Sequence, residues 1–169
     1  MIIREDDLQG PEIAELLRAH LGFMAQHTPP ESIYALDLDG LRVPEITFWS
    51  AWSGAGDSAG DGVGDGAGDG GEIIGCGALR ELASDHGEIK SMHAVERHRG
   101  QGVGREILQF IIAEAEARNY VRLSLETGSM DGFQPARAFY ESFDFVECGP
   151  FGDYTLDPNS VYMTRVLEI

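Results

Sequence analysis

The nine residues Arg97, His98, Arg99, Gly100, Gln101, Gly102, Val103, Gly104 and Arg105 constrain this chain more than any others. They follow an extended run, 88–95, and open a run of helical character, 105–112. A strand that turns through glycines into a helix aims backbone N–H groups and the positive end of the helix dipole at one point. Glycine has no Cβ, so an anion can come close to the backbone there. The arginines add charge suited to phosphate. In a chain of formal net charge −17, three arginines in nine residues point to a phosphorylated ligand. No Gly-Lys-Ser/Thr follows, so the turn is not a P-loop. Its glycine spacing and mid-chain position also differ from the dinucleotide-binding fingerprint.

The rest of the chain organises around this unit. Pro11 sits in the first turn of a predicted helix that carries Ile13, Leu16, Leu17, His20 and Leu21 at helical spacing and ends before Pro29-Pro30. Residues 31–41 fit neither period. Strands are expected at 46–52, 72–79, 86–95 and 121–126. Two more, at 145–148 and 160–167, form a closing hairpin. Helices are expected at 102–119 and 134–143. Early hairpins, one β-α-β unit and a final hairpin predict an α+β fold, a mixed and mostly antiparallel sheet with helices on both faces. Residues 1–169 read as one domain. Its one insert, 54–71, alternates Gly with Asp and Ala and reads as a flexible, overgrown hairpin loop. It lacks the spaced aliphatic residue of calcium-binding repeats, and no metal is expected.

The strong negative charge excludes nucleic acid as an expected partner, since phosphate backbones need a basic face. No apolar run approaches the ~18–20 residues that span a membrane, and the acidic start has no signal-peptide pattern. A cytoplasmic protein is expected. Cys76 and Cys148 form no motif and read as reduced, buried small hydrophobes. Eleven arginines stand against one lysine, Lys90. An acidic, lysine-poor surface suits a high-salt source, and a GC-rich genome gives the same bias without salt.

The segment from Arg99 to Gly104 matches the Gln/Arg-x-x-Gly-x-Gly/Ala signature of the GNAT superfamily of N-acetyltransferases. About thirty residues on, the stretch Pro135, Ala136, Arg137, Ala138, Phe139, Tyr140 with Phe143, Asp144 and Phe145 resembles that superfamily's next signature. That signature is an Ala-x-x-Phe/Leu-Tyr helix followed by a Gly-Phe turn. Segments 30–37, 87–92 and 148–154 extend the likeness to a subfamily of small acetyltransferases. Two positions depart from the pattern. Phe133 stands where the family often has Asn, and Asp144 stands for the turn glycine.

The resemblance implies the GNAT fold and acetyl-CoA as co-substrate, its pyrophosphate on Arg99, Gly100, Gln101, Gly102, Val103, Gly104 and Arg105. It implies a pantetheine arm laid along Met92, His93 and Ala94, where the strand splays from its neighbour. The Met92 N–H would polarise the thioester. Tyr140 matches the family's tyrosine beside the CoA sulfur and is the candidate general acid. Glu88 is the candidate general base, with an arginine-paired structural carboxylate as the alternative. On a regular strand Glu88 and Met92 share one face and His93 takes the other. His93 and Glu126 are the other candidate bases. Phe48, Trp49, Phe151 and Tyr154 are candidate pocket walls. The expected acceptor is a primary amine of a small molecule or amino acid. A protein N-terminus or lysine, or a sensor that binds acyl-CoA without catalysis, remain as alternatives, and a homodimer is left open.

Overall fold

A computed structural model describes residues 1–54 and 71–168. Seven strands make one sheet: β1 (Ile2–Glu5), β2 (Ile46–Trp52), β3 (Ile73–Ala83), β4 (His86–Ala94), β5 (Arg122–Gly128), β6 (Val146–Cys148) and β7 (Ser160–Val166). Their order is β1-β2-β3-β4-β5-β7-β6. Every neighbouring pair is antiparallel except β4 and β5. This is the expected mixed α+β sheet.

Helix α1 (Pro11–His27) and the short α2 (Leu38–Leu41) cover one face. Ile13, Leu16 and Leu17 of α1 pack with Leu41, Phe48, Cys76 and Ala78. Helix α3 (Val103–Ala117) covers the other face with Ile107, Leu108, Ile111 and Ile112, and α4 (Gln134–Glu141) joins it there through Tyr140. Each fully buried aliphatic side chain contributes about 1.5–3 kcal/mol, so the two helical stripes fix both helices against the sheet.

Three local features depart from the sequence reading. Strand β1 has too few residues to show alternation, and it exists by pairing Ile2–Glu5 with Trp49–Trp52 of β2. The ambiguous stretch divides into a 3-10 turn, Pro30–Ser32, and α2, whose start is capped by Asp37 accepting from the Gly40 N–H. Phe48 and Trp49 are 2% and 4% exposed and belong to the two cores, so they are not pocket walls. The expected loop lies outside the described residues except for Gly54 and Gly71. At its base the Ser53 N–H donates to Glu72 O at 2.8 Å and the Glu72 N–H to Ser53 Oγ at 2.9 Å. Among the described residues no helix is long and apolar enough to cross a membrane.

Strand β4 carries the feature that organises the site. Its pairing with β3 slips between Cys76↔His93 and Ala78↔Lys90, so Ser91 and Met92 together oppose Gly77. Ser91 takes φ +54°, the left-handed region. This bulge resets the alternation of faces. A Cβ on Gly77 would lie 2.8 Å from Met92 Sδ and 2.8 Å from Ile111 Cδ1, which places Met92 on the α3 face. His93 instead meets His20 of α1. Glu88 and Lys90 precede the bulge and share the face of Ala78, the α1 side. The expectation that Glu88 and Met92 share a face and His93 opposes Glu88 is therefore reversed: Glu88 and His93 share the α1 face and Met92 lies opposite. The two-residue period fails because one extra residue was inserted into it.

Candidate active site

Strands β4 and β5 pair only over His86↔Arg122, Gly87↔Leu123 and Glu88↔Ser124. Beyond these, β4 runs on to Ala94 and β5 to Gly128 without pairing, so the sheet opens into a notch. A cavity of about 670 Å³ passes through the notch. Every expected contact residue in 92–94 and 99–105 lines it except Gln101, which is exposed and donates to Arg97 O at 3.1 Å.

On one side lies the glycine turn. Gly100 and Gly102 have φ of +75° and +87°, and a Cβ on either would meet nothing within 4 Å. Glycine is there for the backbone conformation, and the missing side chains leave the cavity wall open. Gly102 is the N-cap of α3 and supplies no side-chain cap. The first-turn N–H groups of α3 have no intrahelical partner and form a nest for an anion. Arg99 and Arg105 line the cavity, each leaning on an aromatic ring, Phe23 at 5.7 Å and Phe143 at 4.9 Å. Arg97 is engaged elsewhere, in an ion pair with Glu72.

Helix α4 brings Tyr140 to the cavity from the α3 side. Its ring packs on Phe139 and Phe145, and no described residue hydrogen-bonds its hydroxyl. Burial pushes the phenol above its ordinary pKa. Phe133, at the position where the family pattern has Asn, is 4% exposed and lines the cavity too. It packs where a Cβ on Gly128 would stand. Asp144 has φ +62°, the conformation for which the family's turn uses glycine and which Asp tolerates at small cost.

On the α1 side the wall is acidic and histidine-rich. Glu88 is 1% exposed. Its Oε1 accepts from Lys90 Nζ at 3.0 Å and from the Tyr154 hydroxyl at 2.5 Å, and Lys90 also donates to Tyr154 at 3.0 Å. Oε2 is buried without a hydrogen bond, with Arg80 4.0 Å away. The candidate base is thus held in a Glu-Lys-Tyr triad. Burial, and then the carboxylate of Glu88, raise the Tyr154 phenol. Glu126 accepts from Ser160 Oγ through Oε1 at 2.7 Å. Burial pushes its carboxyl up to about 7 against the opposing pull of Ser160 and Lys90. Nδ1 of His20 and Nδ1 of His93 are 3.3 Å apart, and burial lowers both rings to about 4.

Cys76 is fully buried, its thiol raised by burial, and it acts as a small hydrophobe. Cys148 is only half-buried. Three contributors escaped the sequence reading: Lys90, Ser160 and His20. Lys90 left a signal, since it is the one lysine of the chain and stands two residues from Glu88 on one strand. Ser160 and His20 left none, because their partners lie 34 and 73 residues away.

Residues 20–145 match the model of the Acetyltransferase (GNAT) family. The chain is 53% identical over 167 residues to the uncharacterized N-acetyltransferase YsnE of Bacillus subtilis (strain 168), covering 99% of this chain and 100% of that one. Its fold is similar to that of a GNAT-family acetyltransferase from Staphylococcus aureus Mu50, with a TM-score of 0.65 at 19% identity over 99% of this chain and 100% of that chain. It is also similar to Rv2747 from Mycobacterium tuberculosis, solved in complex with CoA, with a TM-score of 0.62 at 20% identity over 99% and 100% of the two chains. The splayed sheet, the glycine nest at the head of α3 and these relatives together place the chain in the GNAT family, as an N-acetyltransferase.

Proposed function

We propose that this enzyme moves an acetyl group from acetyl-CoA directly to a primary amine of a small molecule or amino acid. The observation that carries this is the polarity of one cavity. A glycine nest with Arg99 and Arg105 lies at one end, and Glu88 and Glu126 lie at the other. In this proposal the N–H groups at 102–105 hold the pyrophosphate, and the open edge of β4 at 92–94 pairs with the pantetheine arm as an added strand would. The Met92 N–H polarises the thioester oxygen. The amine attacks from the α1 side, having given its proton to a carboxylate there, Glu88 through Tyr154 or water, or Glu126.

Tyr140, on the opposite side of the notch, protonates the departing thiolate. Its raised pKa suits that task, because the same water-poor pocket also raises the proton affinity of the thiolate. Free-thiol release from acetyl-CoA, measured with a panel of amines, tests the proposal. Amine-dependent release supports it, and tight acetyl-CoA binding without release with any amine refutes it.

A further inference from the structure

We infer, granting the amine transfer proposed above, that Glu126 is the base that takes the proton of a cationic alkylamine acceptor. Glu126 lies on β5 two residues past the last pair with β4, so its side chain falls on the face of Glu88 and Ser124 but inside the notch. Ser160 fixes Oε1, and no described residue donates to Oε2. One oxygen is thus held and the other is left without a donor, on a residue that lines the cavity.

Glu88 lacks that freedom. Both its donors occupy Oε1, and its Oε2 is buried. His93, also at the cavity, turns Nδ1 to His20 and is held neutral as a weak base by burial. The charged and titratable groups facing Glu126 are Glu88 and Lys90 from β4, Asp157 before β7, Tyr162 of β7, and Tyr34 and Tyr154 from the loops. Three carboxyl groups, Glu126, Glu88 and Asp157, stand against Lys90 and the Arg80 guanidinium 4.0 Å from Glu88, and the negative excess favours a positively charged acceptor. The carboxyl of Glu126 titrates near neutral pH, where a base for an alkylammonium works best.

The proton balance is complete. The ammonium gives one proton to Oε2, and the free amine attacks the thioester carbon. The C–N bond forms and the C–S bond breaks. The nitrogen loses its second proton to solvent water as the amide forms, and the thiolate leaves as a thiol with the proton of Tyr140. Solvent returns a proton to Tyr140, and Glu126 gives its proton to solvent once the products leave.

The test compares wild type with Glu126→Gln, using benzylamine, charged at neutral pH, and methoxyamine, already neutral there. Gln keeps the bond to Ser160 but cannot take a proton. With benzylamine, kcat/KM is expected to fall about 10²–10⁴-fold and the acidic limb of the pH profile to vanish. With methoxyamine the loss stays within a few-fold, and acetyl-CoA affinity by calorimetry is unchanged. Glu126→Asp keeps the acidic limb at a reduced rate. A Glu126→Gln enzyme with the wild-type limb and rate overturns the inference and returns the role to Glu88 or His93. Equal losses with both amines, or a loss of acetyl-CoA affinity, assign Glu126 a structural role and also overturn it. A wild-type chain that binds acetyl-CoA and acetylates neither these two nor any amine of the panel sinks the amine transfer itself.

Discussion

Nδ1 of His20 stands 3.3 Å from Nδ1 of His93, tying the middle of α1 to the strand that floors the cavity. Two rings this close and this buried cannot both carry charge cheaply, and both titrate near 4 instead of 6.5. The unfolded chain takes up protons on them below about 6.5, and the folded chain does not until about 4. Stability from this pair is therefore full above pH 6.5 and is lost as pH falls to about 4. Glu126 works in the opposite sense. Its raised carboxyl favours the fold below pH 4.5, and that contribution disappears as pH rises through 7. Replacing both histidines by Gln should reduce the stability lost between pH 7 and pH 4.5 by up to about 5 kcal/mol, read from urea melts at each pH. An unchanged pH slope would show that the rings are not held neutral.

Gly104 is the sharper probe of the anion nest, because it is already helical and a Cβ there meets only Phe139 Cζ at 3.7 Å. Gly104→Glu should leave the melting temperature level or slightly raised, since a carboxylate suits a helix N-terminus. It should weaken acetyl-CoA binding at least on the order of 100-fold, by filling and charging the nest. Calorimetry on the folded variant measures this, and wild-type affinity would remove the nest from the CoA site.

Tyr140→Phe separates packing from chemistry. No described residue pairs with the hydroxyl, so stability should hold or rise. The kcat should fall about 10²-fold with little change in the KM for acetyl-CoA. Full kcat would mean that water protonates the thiolate and the ring only packs.

Gly77 leaves room for the bulge in β4. Gly77→Val puts methyl groups where Met92 Sδ and Ile111 Cδ1 stand. A destabilisation of about 1–3 kcal/mol is expected from overpacking, together with a larger loss in kcat than in the KM for acetyl-CoA as the register at Ser91 and Met92 shifts. A variant with wild-type melting and kinetics would show that Gly77 is not needed for the bulge.

The linear order of residues determined the long helices, the central strands and the glycine turn, because these are local, whereas β1 and α2 were not legible in it. Hydrophobic spacing in 103–115 and alternation in 122–126 depend on neighbours a few residues apart, and the nest at 99–105 is contiguous. The family likeness rested on two such contiguous motifs, and even the substituted turn glycine at Asp144 kept its left-handed backbone. The tertiary structure alone decided which side chains face the acceptor. The bulge at Ser91 fits because Gly77 leaves room for Met92 beside Ile111, a relation across three elements that no pattern within β4 records. It put Met92 on the face opposite Glu88 and His93 on the same face as Glu88. The states of Glu88 and Glu126 likewise follow from Tyr154 and Ser160, which fall 66 and 34 residues further along the chain. A carboxylate's role depends on its donors and its burial, and both are set only when distant segments pack.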